Sequence, residues 1–153
     1  MSEGFFVPVG DVMSRELEYV DRMATIGDAL NVMSEKNISS LVVERRDERD
    51  EYGLIRVVDI ADEIISRRRP ISRTNVYEIM IKPAPALDAE MNIQYAVRFM
   101  TRYGLSHCLV LRGRQAVGLV TLRDMTIRYL QASEGTESAA SRPEAPADAG
   151  RRV

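Results

Sequence analysis

Apolar side chains recur at helical spacing twice along the chain: Ile26, Ala29, Leu30 and Met33, then Ile93, Ala96, Val97 and Met100. Each set marks one face of a 3.6-residue period and predicts an amphipathic helix. Thr25 and Asn92 precede the two sets, where a side-chain oxygen can accept a free backbone N–H. Asn37 and Gly104 follow them, and these residue types best tolerate the left-handed conformation at a helix end. Short apolar runs come next, SSLVV at 39–43 and SHCLVL at 106–111, each followed by a polar turn and a second run, at 52–55 and 116–121. Each pair predicts a hairpin. Closing helices are expected to begin near Asp59 and Asp124. The first stops at SRRRP, where arginines suit the negative end of the helix dipole and Pro70 cannot continue the ladder.

The two halves follow one pattern. Residues 9–43 align with 76–110 without a gap, matching Val9 to Val76, Met13 to Met80, Asp21 to Asp88, Ser39 to Ser106 and Val43 to Val110. GLIRVVDI at 53–60 then aligns with GLVTLRDM at 118–125, after a longer turn in the first copy. Such self-similarity predicts an α/β (α+β) fold of two strand, helix, strand, strand, helix repeats. Their expected bounds are 9–70 and 76–131, joined by a linker at 71–75 and preceded by a short segment, 1–8. A repeat of about 60 residues cannot cover both faces of its sheet alone, so the copies are expected to pack face to face. From 132 to 153 the chain is small, polar and proline-containing without periodicity, and a disordered tail is expected.

Composition narrows the function. A formal charge of −2 argues against a nucleic-acid binder, which needs a basic excess. The one basic cluster, SRRRPISR at 66–73, lacks the interleaved aromatics that stack on bases. A single cysteine and a single histidine exclude a disulfide framework and a Cys/His zinc site. RRDERDE at 45–51 reads as a solvated hairpin tip and not a metal site. With no apolar run of membrane-spanning length and no secretory pattern at the start, a cytoplasmic protein is expected, with no membrane contact. His107 and Cys108 are adjacent, so on a strand they face opposite sides and cannot form a base and nucleophile pair. Cys108 is expected in the core. No catalytic constellation converges, and no enzyme is expected.

DVMSRE (11–16) and EIMIKP (78–83) at the copy starts, NISSLVV and GLSHCLV after the first helices, and GLIRVVD and GLVTLRD at the close resemble the CBS domain. Their duplication over roughly 9–130 resembles the tandem pair called a Bateman module. The resemblance implies a pseudo-twofold unit whose inter-repeat clefts hold AMP, ADP, ATP or another adenosyl ligand such as S-adenosylmethionine. It also implies a regulatory role toward a partner that the sequence does not identify, and a homodimer formed through helix faces. No cofactor is required. The alternative from another class is a ligand-free adaptor that mediates protein association.

Thr121 and Asp124 admit two readings. As a capping box they satisfy free N–H groups of the closing helix. As a ligand site, the Thr121 hydroxyl and the helix end meet a phosphate, while the Asp124 carboxylate accepts both ribose hydroxyls. In the first copy Arg56 stands in place of the threonine and is not expected to N-cap, so retention of Asp59 favours a ribose role, with Arg56 meeting phosphate. A degenerate, empty first cleft would carry the same residues. The family pattern adds Ser14 after the methionine, and Ser39, Ser40, Ser106 and His107 in the segments after the first helices, where the cleft is bordered. Arg15 and Lys82 are aligned cations that either face phosphates or lie on the surface.

Overall fold

A hydroxyl and a carboxylate three residues apart open the first long helix, α1 (Ile26–Lys36). Thr25 Oγ1 accepts the Asp28 N–H at 3.1 Å, and the Asp28 carboxylate accepts the Thr25 N–H at 3.2 Å. The helix ends at Asn37, which is left-handed at φ 55°. In the second copy Asn92 accepts the Gln94 N–H at 3.3 Å, and Gly104 takes φ 66° beyond the helix end. Both pairs of end residues thus meet the backbone demands read from sequence.

The computed structural model describes residues 6–141; residues 1–5 and 142–153, which include most of the expected tail, lie outside the described residues. Strands β1 (Tyr19–Val20), β2 (Ser40–Val43) and β3 (Gly53–Arg56) flank α1, and α2 (Val57–Ile60) closes the copy and continues as a π-helix, Ala61–Ser66. After a short α3 (Val76–Ile79) the second copy repeats the plan with β4 (Ala86–Asp88), α4 (Ile93–Arg102), β5 (His107–Arg112), β6 (Gln115–Thr121) and α5 (Leu122–Ser141). Each sheet has three strands in sequence order, the first pair parallel and the second antiparallel. This is the mixed fold of two equivalent repeats. One difference lies at the end: α5 runs to Ser141, past the expected boundary at 132. Lack of apolar periodicity reads as disorder, but ASEGTESAAS carries three alanines and two glutamates, residues of high intrinsic helix propensity.

The core explains why the chain repeats. Facing sheets meet through Val42, Leu54, Ala84 and Leu109. Below each sheet lies a separate cluster, and each holds residues from the other copy's opening segment. Val9, Val12 and Met13 pack with Ile93, Met100 and Met125, while Val76 and Ile79 pack with Ile26, Met33 and Ile60. The sequence boundaries therefore divide the repeat and not the packing. The stretch 71–75 is pinned too. It forms a 3-10 turn at Ile71–Arg73, and Thr74, only 1% exposed, accepts the Ile26 N–H at 2.8 Å.

Reciprocal main-chain bonds lock the exchange. Ser14 N–H donates to Leu119 O at 2.8 Å and Leu119 N–H returns to Ser14 O at 3.0 Å; Ile81 and Leu54 do the same at 2.8 and 2.9 Å. The arms pass directly over Gly118 and Gly53. A Cβ at 118 would collide with the Met13 sulfur and stand 2.8 Å from the Ser14 carbonyl oxygen, and one at 53 would stand 2.9 Å from the Met80 sulfur. Glycine at the head of both GL motifs is thus a clearance requirement. Gly118→Ala should destabilise the fold by about 1–3 kcal/mol, as overpacking does. Urea unfolding followed by circular dichroism checks this, and a change within about 0.5 kcal/mol would contradict it.

Candidate functional site

Strand β6 ends at Thr121, and α5 begins on the next residue. Thr121 Oγ1 accepts the Asp124 N–H at 3.0 Å, which is half of a capping box. In α1 and α3 the acid returns the bond: Asp28 accepts from Thr25 N–H, and Glu78 accepts from Asn75 N–H at 2.9 Å. Asp124 does not. Thr121 pairs with His107 in the sheet ladder, and among the described residues the Asp124 carboxylate meets only Arg123 Nη1, at 3.4 Å. Capping accounts for the threonine and leaves the carboxylate free to accept from elsewhere.

That carboxylate borders a cleft of about 500 Å³ between the copies. Six of the ten residues expected at a site line it: Ser14, Ser39 and Ser40 from the first copy, and His107, Thr121 and Asp124 from the second. The crossing arm builds one wall, which explains how Ser14 comes to face a helix more than a hundred residues later in the chain. Half-buried His107 has Nε2 3.3 Å from Ser39 Oγ and Nδ1 3.0 Å from Ser106 Oγ. Burial, and secondarily the nearby Arg56 cation, hold its pKa below the ordinary histidine value. Cys108 points the other way into the core, and burial pushes its thiol up to about 11.

The remaining four are engaged elsewhere. Arg56 grips Asp59 through two parallel bonds, Nε to Oδ2 at 2.8 Å and Nη2 to Oδ1 at 2.7 Å, and its own N–H reaches Oδ2 at 3.3 Å. Both side chains are only 19% exposed. Bidentate pairing of this kind gives Asp59 an intramolecular reason to persist without a hydroxyl neighbour. Asp59 thus has an intramolecular partner as well as the expected ribose role, and Arg56 faces its own carboxylate. Lys82 Nζ bonds Asp50 at 2.8 Å on the first hairpin, Ser106 supports the His107 ring, and Arg15 is exposed outside the lining.

The lining also holds residues that sequence reading passed over: Glu16, Leu17, Glu18, Asn37 and Arg123. Glu16 and Glu18 align with Pro83 and Pro85, so the repeat carried no signal for them. Among the described residues no group of three or more His, Cys, Asp or Glu is placed to hold a metal ion, and no helix is long and apolar enough to cross a membrane.

Comparison with known proteins fits this architecture. A family model for the CBS domain matches residues 9–66 and again 76–130. Among curated proteins, an uncharacterized 33.4 kDa protein in the ribosomal RNA operon of Thermofilum pendens is 26% identical over 132 residues, covering 80% of this chain and 43% of its own length. The chain thus spans less than half of that relative. Among solved structures, a hexameric CBS-CP12 protein from bloom-forming cyanobacteria superposes with a TM-score of 0.79 at 25% identity, over 94% of this chain and 87% of that one. A CBS domain pair in complex with 5′-methylthioadenosine and S-adenosyl-L-methionine shares the fold at a TM-score of 0.69 and 22% identity, over 83% and 98% of the two chains. With both copies matched, and with two equivalent three-stranded sheets exchanging their opening arms, this chain belongs to the CBS domain family and carries its domains as a tandem pair.

Proposed function

We propose that the chain is a regulatory module that binds an adenosyl ligand in the cleft beside Asp124 and reports occupancy to a partner protein in the cytoplasm. Adenine nucleotides and S-adenosylmethionine are the candidate ligands. The single observation that carries this reading is the Asp124 carboxylate, positioned at a helix start yet left out of the cap. Its two oxygens suit a vicinal diol, Ile38, Val42 and Leu119 supply apolar surface for a base, and the cleft volume falls in the small-ligand range. The adenosyl compounds held by a CBS pair of the same fold support it. Because the walls come from both copies, a ligand there shifts the module between two arrangements by its differential affinity for them. The Arg56–Asp59 pair already occupies the carboxylate at the equivalent position in the first copy, and this reading takes one ligand per chain. The chain self-associates through α4, where Tyr95, Phe99 and Tyr103 form an exposed aromatic stripe.

Four measurements check this. Adenosine at 100 times its dissociation constant should stabilise the protein by about 2.7 kcal/mol in a thermal-shift assay. Asp124→Asn should abolish that shift while Asp59→Asn preserves it, and calorimetry should give one site; equal loss in both variants would refute the assignment. Phe99→Glu should turn a dimer into a monomer in sedimentation velocity. The lowered His107 pKa means that the unfolded chain binds the proton more readily than the folded one. Its stabilising contribution is therefore complete above about pH 6.5 and is lost as pH falls through the folded-state value. Between pH 7 and 5, urea midpoints of wild type should fall more steeply than those of His107→Gln.

A further inference from the structure

We infer that the cleft selects adenosyl compounds whose 5′ substituent is cationic or uncharged, and discriminates against 5′-phosphates; this rests on the adenosyl reading above. Three carboxylates line the cleft, Glu16, Glu18 and Asp124, against one guanidinium, Arg123. Arg123 already lies 3.4 Å from Asp124. Glu16 has no cationic partner among the described residues, and Glu18 meets Lys36 only at 3.5 Å on the exposed rim. His107 adds no positive charge near neutral pH, because burial favours its uncharged form.

The groups that would receive a phosphate are engaged. At the start of α5 the Leu122 N–H donates to Ser106 O at 3.2 Å and the Asp124 N–H donates to Thr121 Oγ1 at 3.0 Å. A helix end attracts anions through such free donors, and here two of the first three are used internally. Arg56 is held by Asp59 and Lys82 by Asp50, so neither offers an unpaired charge, and Arg15 is exposed outside the lining. A ligand whose ribose occupies Asp124 therefore places its 5′ group in a net negative field. Each added phosphate charge opposes that field, while a sulfonium or ammonium complements it.

The test is calorimetric titration of the full chain with S-adenosylmethionine, 5′-methylthioadenosine, AMP and ATP at low and moderate salt. The two phosphate-free compounds should bind roughly tenfold or more tightly than AMP, with ATP weaker still, and added salt should narrow the gap. Glu16→Gln/Glu18→Gln, checked for native circular dichroism, should bring AMP to within about twofold of 5′-methylthioadenosine. AMP or ATP binding as tightly as the phosphate-free pair, or a gap that survives the double variant, overturns the charge selection. If Asp124→Asn still abolishes all binding in that case, the ribose reading stands alone. If no probe binds wild type, both fall together.

Discussion

Two short main-chain exchanges, Ser14 with Leu119 and Ile81 with Leu54, hold the rest of the structure in place. Each carries an arm from one copy across the sheet of the other, and each is possible only because a glycine removes the side chain that would block it. The arms bring Val9, Val12 and Met13 into one core and Val76 and Ile79 into the other. Neither copy completes its hydrophobic cluster alone. Tandem duplication in this chain is thus a packing necessity, and the inter-copy cleft follows from it, because the arm that seals a core below the sheet goes on to wall a hollow beside it.

Equivalent backbones then carry unlike chemistry. At the junction of the last strand and closing helix, the second copy has Thr121 and an uncapped Asp124, and the first has Arg56 clasped to Asp59. Glu16 and Glu18 stand on one arm where Pro83 and Pro85 stand on the other. The fold supplies two related positions, and side-chain pairing leaves one with an available carboxylate and the other with a self-satisfied ion pair. An exposed pair of this type contributes little to stability, but a half-buried bidentate one withdraws its carboxylate from any other partner.

What the sequence made legible was local. Helix ends at Thr25, Asn37, Asn92 and Gly104 answer to backbone donors and left-handed angles that neighbouring residues dictate, and the hairpins answer to alternating apolar runs. Internal repetition extended those readings to the architecture of the pair, and the family resemblance named Ser14, Ser39, Ser40, His107, Thr121 and Asp124, which line one cleft. Three features stayed hidden. Periodicity shows that Val9 and Val76 are buried but not in whose core. The Arg56–Asp59 clasp depends on a rotamer, which spacing does not specify. The glutamates of the arm have no counterpart in the repeat, and only the crossing of the arm places them beside the cleft.

A crystal structure of the chain grown with adenosine tests the central claim most directly. The account predicts the ribose hydroxyls on the Asp124 carboxylate, the base between the Ser14 arm and the Ile38–Ser40 segment, and Arg56 still bound to Asp59. Adenosine seated on Asp59 with Arg56 displaced, or a ribose remote from both aspartates, would contradict it.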